Sequence, residues 1–280
     1  MEENRHHALF QRFPLTGQVA ISTGSVPTPY HVYDGHGLLI GGTVDLKAAQ
    51  NLLQNETVTA VQTRSGRALM LIWVCDFTDA SLGVHHELQF SLLVTRRPQP
   101  PLPDHPLALL QAMIDNPTTG LLCHGLWNNS AVVVAYNREL LGLPACLSAG
   151  EIVRENGRKS FTFCDDTGQL ILHGQVGEAA STPAGAGWQM MRLFGLRRTF
   201  RLLREPYLAS AVINPISQAI PCNAQSPAYI AANTPVVQFF QPQTDTLTIV
   251  REPYGRLNFQ PQFLEHFAPF RFVYLMPSAD

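Results

Sequence analysis

Three consecutive stretches decide how this chain folds: Leu69-Met-Leu-Ile-Trp-Val-Cys75, Asp76-Phe-Thr-Asp-Ala-Ser-Leu-Gly-Val-His-His-Glu87 and Leu88-Gln-Phe-Ser-Leu-Leu-Val-Thr95. The first is a continuous apolar run with β-branched and aromatic members, as in a strand buried on both faces. The third opens with alternation at Glu87 and becomes apolar on both sides. The middle stretch reads as a turn-rich polar loop between the two. If Glu87 already belongs to the strand, His85 and Glu87 share one of its faces and His86 takes the other.

The rest of the chain repeats this style. Ser130-Ala-Val-Val-Val-Ala-Tyr136 reads as another buried strand. Ser160-Phe-Thr-Phe-Cys164 and Leu170-Ile-Leu-His-Gly-Gln-Val176, parted by Asp165-Asp-Thr-Gly168, read as a hairpin. Phe270-Arg-Phe-Val-Tyr-Leu275 reads as a last strand. Three helices are expected. Asp45–Leu53 has an N-cap aspartate and an apolar face, and Pro106–Asp115 starts with a tolerated proline; Pro261–Phe267 is the third and shortest. Strand–helix alternation of the doubly wound kind and repeats of fixed period are both missing. The expectation is one α+β domain over 1–280, with residues 1–15 as a flexible or packing N-terminal arm.

Composition narrows the classes. Charged residues are 14% of the 280 and hydrophobic ones 45%, against roughly 25% charged in an ordinary soluble domain. That excludes a disordered chain and implies a large core, a buried homo-oligomer interface, or both. The net charge of −2, with no basic run longer than Arg197-Arg198, excludes a nucleic-acid footprint. Apolar stretches such as 68–74 and 131–135 are far short of the ~20 residues a membrane helix needs. The polar N-terminus and five cysteines without C-x-x-C spacing lead to the expectation of a reduced, cytoplasmic protein.

Two constellations can carry chemistry. In the first, a carboxylate at Glu87, at the mouth of an apolar sheet, has its pKa raised by desolvation and suits acid–base work near neutral pH, with His85 or His86 as second proton carrier. The competing reading is a strand-entry carboxylate paired for structural reasons. His85 and Glu87 could also reach one ion, but two ligands do not make a metal site. The second is Ala135-Tyr-Asn-Arg-Glu-Leu-Leu-Gly-Leu-Pro-Ala-Cys-Leu147, where a Gly-x-Pro kink re-aims the residues after the proline and Cys146 is the one nucleophile on offer. A lone cysteine in apolar company is also a common inert core residue. No dinucleotide, flavin, haem or metal signature accompanies either, so no cofactor is expected.

Taken in order, Tyr30-His-Val with Val44-Asp-Leu-Lys-Ala-Ala-Gln-Asn-Leu-Leu53, Val74-Cys-Asp with Gly83-Val-His-His-Glu87, and Ala135-Tyr-Asn-Arg-Glu-Leu-Leu-Gly-Leu-Pro144 resemble the acetoacetate decarboxylase-like superfamily. The resemblance implies a single α+β domain built as a barrel-like mixed β-sheet cone with few helices and an internal apolar pocket, often in homo-oligomers. It also implies that the two adjacent lysines of the decarboxylases, one of them forming the Schiff base, are replaced here by Ala145 and Cys146. Their arginine falls at about Gly35 and a further acidic residue near Ile72. Only the carboxylate matches, at Glu87. The chain has two lysines, Lys47 on the expected helix and Lys159 in an Asn-Gly-Arg-Lys turn, and neither is a substitute. Imine-forming decarboxylation is therefore not expected. The expectation is acid–base chemistry, a cyclisation, dehydration, hydration or isomerisation, on a small hydrophobic carbonyl metabolite, larger than a cavity with two lysines would take, in a pocket shaped by Trp73, Phe90, Tyr136, Arg138, Ala145 and Gly35. The alternative is a silent pocket that binds a small ligand.

Overall fold

The inward face of one long strand sets the architecture. In the computed structural model, which describes residues 5–116, 118–178, 188, 191–197, 199, 207–218, 220–231 and 236–277, Tyr30–Asp45 is a single 16-residue strand. In chain order the elements are α1 (Ala8–Arg12), β1 (Gly17–Ile21), β2 (Gly24–Thr28), β3 (Tyr30–Asp45), α2 (Leu46–Leu52), β4 (Thr59–Ala60), β5 (Arg67–Ala80), β6 (His85–Thr95), α3 (Ala108–Asp115), β7 (Thr119–Asn128), α4 (Ala131–Glu139), β8 (Ala145–Glu155), β9 (Arg158–Asp165), β10 (Leu170–Gly177), β11 (Tyr207–Ile213), β12 (Gln225–Ala231), β13 (Val236–Phe239), β14 (Thr246–Ile249), β15 (Gln260–Phe267) and β16 (Phe272–Tyr274). A single 3₁₀ turn, Tyr254–Leu257, precedes β15.

Strands β3, β5, β6, β7, β11, β12 and β16 close on themselves into a barrel. Of its pairings only β7–β11 is parallel, so the barrel is mixed. Strand β8 leaves β7 in parallel and enters a second, antiparallel sheet, β8–β9–β10–β14. This sheet packs on the outside of the barrel. Two apolar cores result. The inner one holds Leu39, Leu71, Trp73, Phe77, Phe263, Phe270 and Phe272. The outer one joins Leu38, Ile40, Ile72, Val74, Leu88 and Phe90 of the wall to Phe161, Phe163 and Ile171 of the second sheet. Strand alternation produces this division, since Leu38 and Leu39 look opposite ways.

Along β3 the inward positions include Gly37 and Gly41. A methyl at Gly37 would lie 2.7 Å from the Phe270 ring, and one at Gly41 would run into the Phe263 ring. These glycines let aromatic rings lie directly on the strand backbone, which narrows the barrel and fills it. Each ring so buried stabilises the fold by roughly 1.5–3 kcal/mol. The N-terminal segment packs as well: Leu9 and Phe10 of α1 are buried against Tyr33 and Val273.

Three expectations are corrected. Residues 131–136, read as a strand, form α4; β7 and β8 are parallel neighbours, and such a pair needs a crossover, which is helical here. Residues 261–267, read as a helix, form β15 on the edge of β3. The expected loop from Asp76 is mostly strand, because β5 runs on to Ala80 and β6 begins at His85. The helices over 45–53 and 106–115 and the hairpin at 165–168 are present. The expected loop over 179–187 lies outside the described residues. No described helix is long and apolar enough to cross a membrane.

Candidate active site

The barrel holds a half-open cavity whose lining includes Trp73, Cys75, Glu87, Gln89, Phe270, Phe272 and Tyr274, with a free volume of about 40 Å³. At ~10–15 Å³ per water centre this is room for about three waters. The rings of Trp73, Phe270 and Phe272 stand in its lining.

Glu87 is the one carboxylate in this lining. It is 6% exposed and lies directly opposite Asn128 across β6 and β7. Asn128 Nδ2 donates to Glu87 Oε2 at 3.0 Å, and Asn137 Nδ2 of α4 donates to Asn128 Oδ1 at 3.2 Å. All three side chains are buried, so the helix fixes the amide that fixes the carboxyl. Burial pushes the Glu87 pKa up to about 7, and the Asn128 hydrogen bond works against that rise. The neighbours hold their protons too: burial, and then the Glu87 charge, drive the Tyr274 phenol and the Cys123 and Cys75 thiols well above their usual values.

His85 shares the inward face with Glu87. Its Nδ1 donates to Gly83 O at 2.8 Å, so Nε2 is the acceptor for the Tyr30 hydroxyl at 2.7 Å. Burial lowers its pKa to about 4, leaving a neutral ring with both nitrogens engaged. His86 lies on the opposite face, outside the barrel. Its Nδ1 donates to Gly150 O of the second sheet at 2.8 Å, and Nε2 is 3.4 Å from Asp76 Oδ1. The Asp76 carboxylate raises its pKa. His86 thus ties the two sheets together and does not reach the cavity.

The other expected site residues are dispersed. Trp73 lines the cavity. Phe90 faces outward and stacks on Tyr254, with ring centroids 4.4 Å apart. Cys146 packs with the outer core, 3.6 Å from an Arg138 guanidinium nitrogen, and is not in the lining. Arg138 is exposed and donates to Ala145 O. Ala145 is buried in the inner core away from the lining. Tyr136 contacts Thr28 Oγ1 at 3.3 Å and lies beside Tyr30. Gly35 has no room for a side chain, because a Cβ there would stand 2.6 Å from Asp76 O. Ile72 faces the outer core. Lys47 is exposed on α2, and Lys159 is buried outside the barrel wall, so neither lysine lines the cavity. Among the described residues no group of three or more His, Cys, Asp and Glu side chains is placed to hold a metal ion.

Sequence reasoning missed Asn128, Asn137, Gln89 and Tyr274. Gln89 was within reach, since it stands two residues beyond Glu87 and shares its face. Asn128 and Asn137 carry no local signal, because their meaning depends on α4 crossing over β7.

No protein-family description matches the chain, and no curated protein sequence does. Solved structures do. The crystal structure of acetoacetate decarboxylase from Legionella pneumophila subsp. pneumophila str. Philadelphia 1 superposes with a TM-score of 0.59 at 13% identity, covering 98% of this chain and 96% of that one. A second acetoacetate decarboxylase structure gives a TM-score of 0.53 at 12% identity, over 89% and 87% of the two chains. This likeness shows the fold: the chain has the acetoacetate decarboxylase-like architecture.

Proposed function

We propose that the protein is an enzyme that uses Glu87 as a general acid–base on a small, neutral carbonyl compound, without forming an imine. The observation that carries this reading is a single carboxyl, held by one amide N–H inside an aromatic cavity, with a pKa of about 7. Such a group is divided between acid and base near neutrality, where proton transfer is most efficient. The Glu87 carboxylate removes a proton from the carbon beside the carbonyl. The electron pair moves to the carbonyl oxygen, which accepts a hydrogen bond from the O–H of Tyr274, a residue of the same lining kept protonated by burial. Returning the proton to another carbon gives isomerisation, and losing a β-hydroxyl as water gives dehydration. The step needs no cofactor. The absence of lysine from the lining and the neutral state of His85 also favour a neutral substrate over an anionic one.

The test is turnover of metabolites from a cell extract, followed by mass spectrometry with wild type and Glu87→Gln. A compound that wild type converts at unchanged or water-shifted mass, and that Glu87→Gln converts 10²–10⁴-fold more slowly, is the expected result. Retention of one compound by both proteins, with no turnover, makes this a ligand-binding protein and sinks the enzyme reading.

A further inference from the structure

The polar groups that the proposed chemistry leaves unused gather at one end of the seam between the barrel and the second sheet. Lys159 and Arg154 are directly paired on β9 and β8. Lys159 lies on the same face as Phe161 and Phe163, which look toward the barrel. From the barrel side, His36 of β3 and His266 of β15 lie on the outward faces that Leu38 and Leu264 share. Glu178 comes directly after β10.

Donors outnumber acceptors here. The Lys159 side chain is 3% exposed, and among the described residues its ammonium has one charged partner, Glu178 Oε1, at 3.7 Å, beyond hydrogen-bond length. That carboxylate is already held by Arg154 Nε, at 2.8 and 3.2 Å to its two oxygens. Arg154 also approaches the His36 ring nitrogens at 2.9 and 3.0 Å. The Gln238 amide N–H₂ faces His266 Nε2 at 3.3 Å, so Nε2 accepts and the ring proton sits on Nδ1. Among the described residues that buried Nδ1 has no partner. Among the described residues the neighbouring carboxylates also hold other partners: Asp76 binds His86, Asp34 Oδ1 accepts from Gly35 N–H, and Asp245 accepts from the N–H groups of Gly177 and Gln241, while Asp76 and Asp34 still act on the cluster through space. Burial and the two cations keep His36 and His266 from charging. Among the described residues the cluster therefore has the Arg154 guanidinium, a buried Lys159 amine whose pKa burial lowers and Glu178 supports, the Glu178 carboxylate, and an unpartnered N–H donor. A buried ammonium with so few acceptors is costly unless something else supplies them.

We propose that this seam is a binding site for a small oxyanion, a carboxylate or phosphate group, received by Lys159 Nζ and His266 Nδ1–H with Arg154 at its rim. It is separate from the cavity, which lies on the other side of the barrel wall.

The test is calorimetric titration of the full chain at pH 7 with inorganic phosphate and, separately, with acetate. Wild type is expected to bind at least one of them saturably, and more weakly in 0.5 M than in 0.05 M sodium chloride. Tighter binding of phosphate identifies a phosphorylated ligand, and tighter binding of acetate a carboxylate. Lys159→Met and Arg154→Met are each expected to weaken binding at least tenfold, and Glu178→Gln to strengthen it. Glu87→Gln, across the wall, is expected to bind as wild type does. Absence of saturable binding of both anions overturns the proposal. So does unchanged affinity in an Arg154→Met protein whose circular dichroism matches wild type, or loss of binding in Glu87→Gln.

Discussion

Glu87 stands on the inner wall of the barrel, and Glu265 stands on β15, which extends that wall beside β3. Glu265 is directly opposite Leu39 on β3 and Val237 on β13, two members of the inner core, so it faces the same way. Burial raises the pKa of Glu87 from 4.5 to about 7 and that of Glu265 to about 8. A carboxyl with a raised pKa binds more protons folded than unfolded, so its contribution is complete below about pH 4.5. It is lost as pH climbs to about 7 for Glu87 and about 8 for Glu265. At ~1.36 kcal/mol per pH unit the loss is about 3 kcal/mol for Glu87 and about 5 kcal/mol for Glu265. Across the same range His31, His85 and His266, whose pKa burial lowers to about 4, add stability as pH rises, so the test is the difference between two proteins: in urea unfolding from pH 5 to pH 8.5, Glu265→Gln should lose less stability, or gain more, than wild type. An identical pH dependence in wild type and Glu265→Gln would contradict the burial argument. Asn128 adds a second expectation. Its N–H favours the Glu87 carboxylate, and a hydrogen bond to a charged group is worth ~1.5–3 kcal/mol. Asn128→Leu should move the Glu87 titration upward by about 1–2 pH units, and Asn137→Ala should move it the same way by less. Carbon-13 NMR of the labelled glutamate carboxyl reads both shifts directly. Glu87 was legible in the sequence because it lies at a strand entrance. Glu265 was not, because Phe263-Leu-Glu-His-Phe267 satisfies helical spacing and strand alternation equally well.

At the scale of elements, local pattern succeeded where one strand carries its own signal and failed where a neighbour decides. The apolar runs at 69–75 and 88–95 are strands in any setting, and Asp45 caps α2 through Ala48 N at 2.8 Å, as its residue type suggested. Val132-Val-Val134 favours a strand by propensity, yet the parallel placement of β8 beside β7 makes the segment a helix. Conversely, β15 is extended because the edge of β3 offers unpaired backbone groups along Gly37–Thr43. The inward glycines of β3 are likewise explained only by what lies across from them. A methyl at position 41 cannot coexist with the Phe263 ring in its present place, and Phe263 is fully buried. Gly41→Ala should thus cost about 1–3 kcal/mol through overpacking, measured by urea unfolding. Gly157→Ala, a turn position with open space around it but φ of +70°, is a poor control. Gly17→Ala, which meets nothing within 4 Å at ordinary φ, is the right one and should change stability by less than Gly41→Ala.

For the whole molecule, the sparse charge that announced a large core has a second consequence at the surface. Only 14% of the residues are charged, and the inner and outer cores do not absorb every large apolar side chain. Val84, Trp188 and Leu196 are 69%, 68% and 62% exposed. Scattered exposed apolar residues are normal, but in so weakly charged a surface they favour self-association over solvation. The expected species is a homo-oligomer of the 30.9 kDa chain. Light scattering at micromolar concentration should return at least twice that mass, and Trp188→Ser or Leu196→Ser should shift the distribution toward the single chain if those side chains lie in the interface. A wild-type mass equal to one chain would mean that the low charge fraction is accounted for by the two internal cores alone, because two packed layers and a filled barrel already bury most of what the sequence makes apolar.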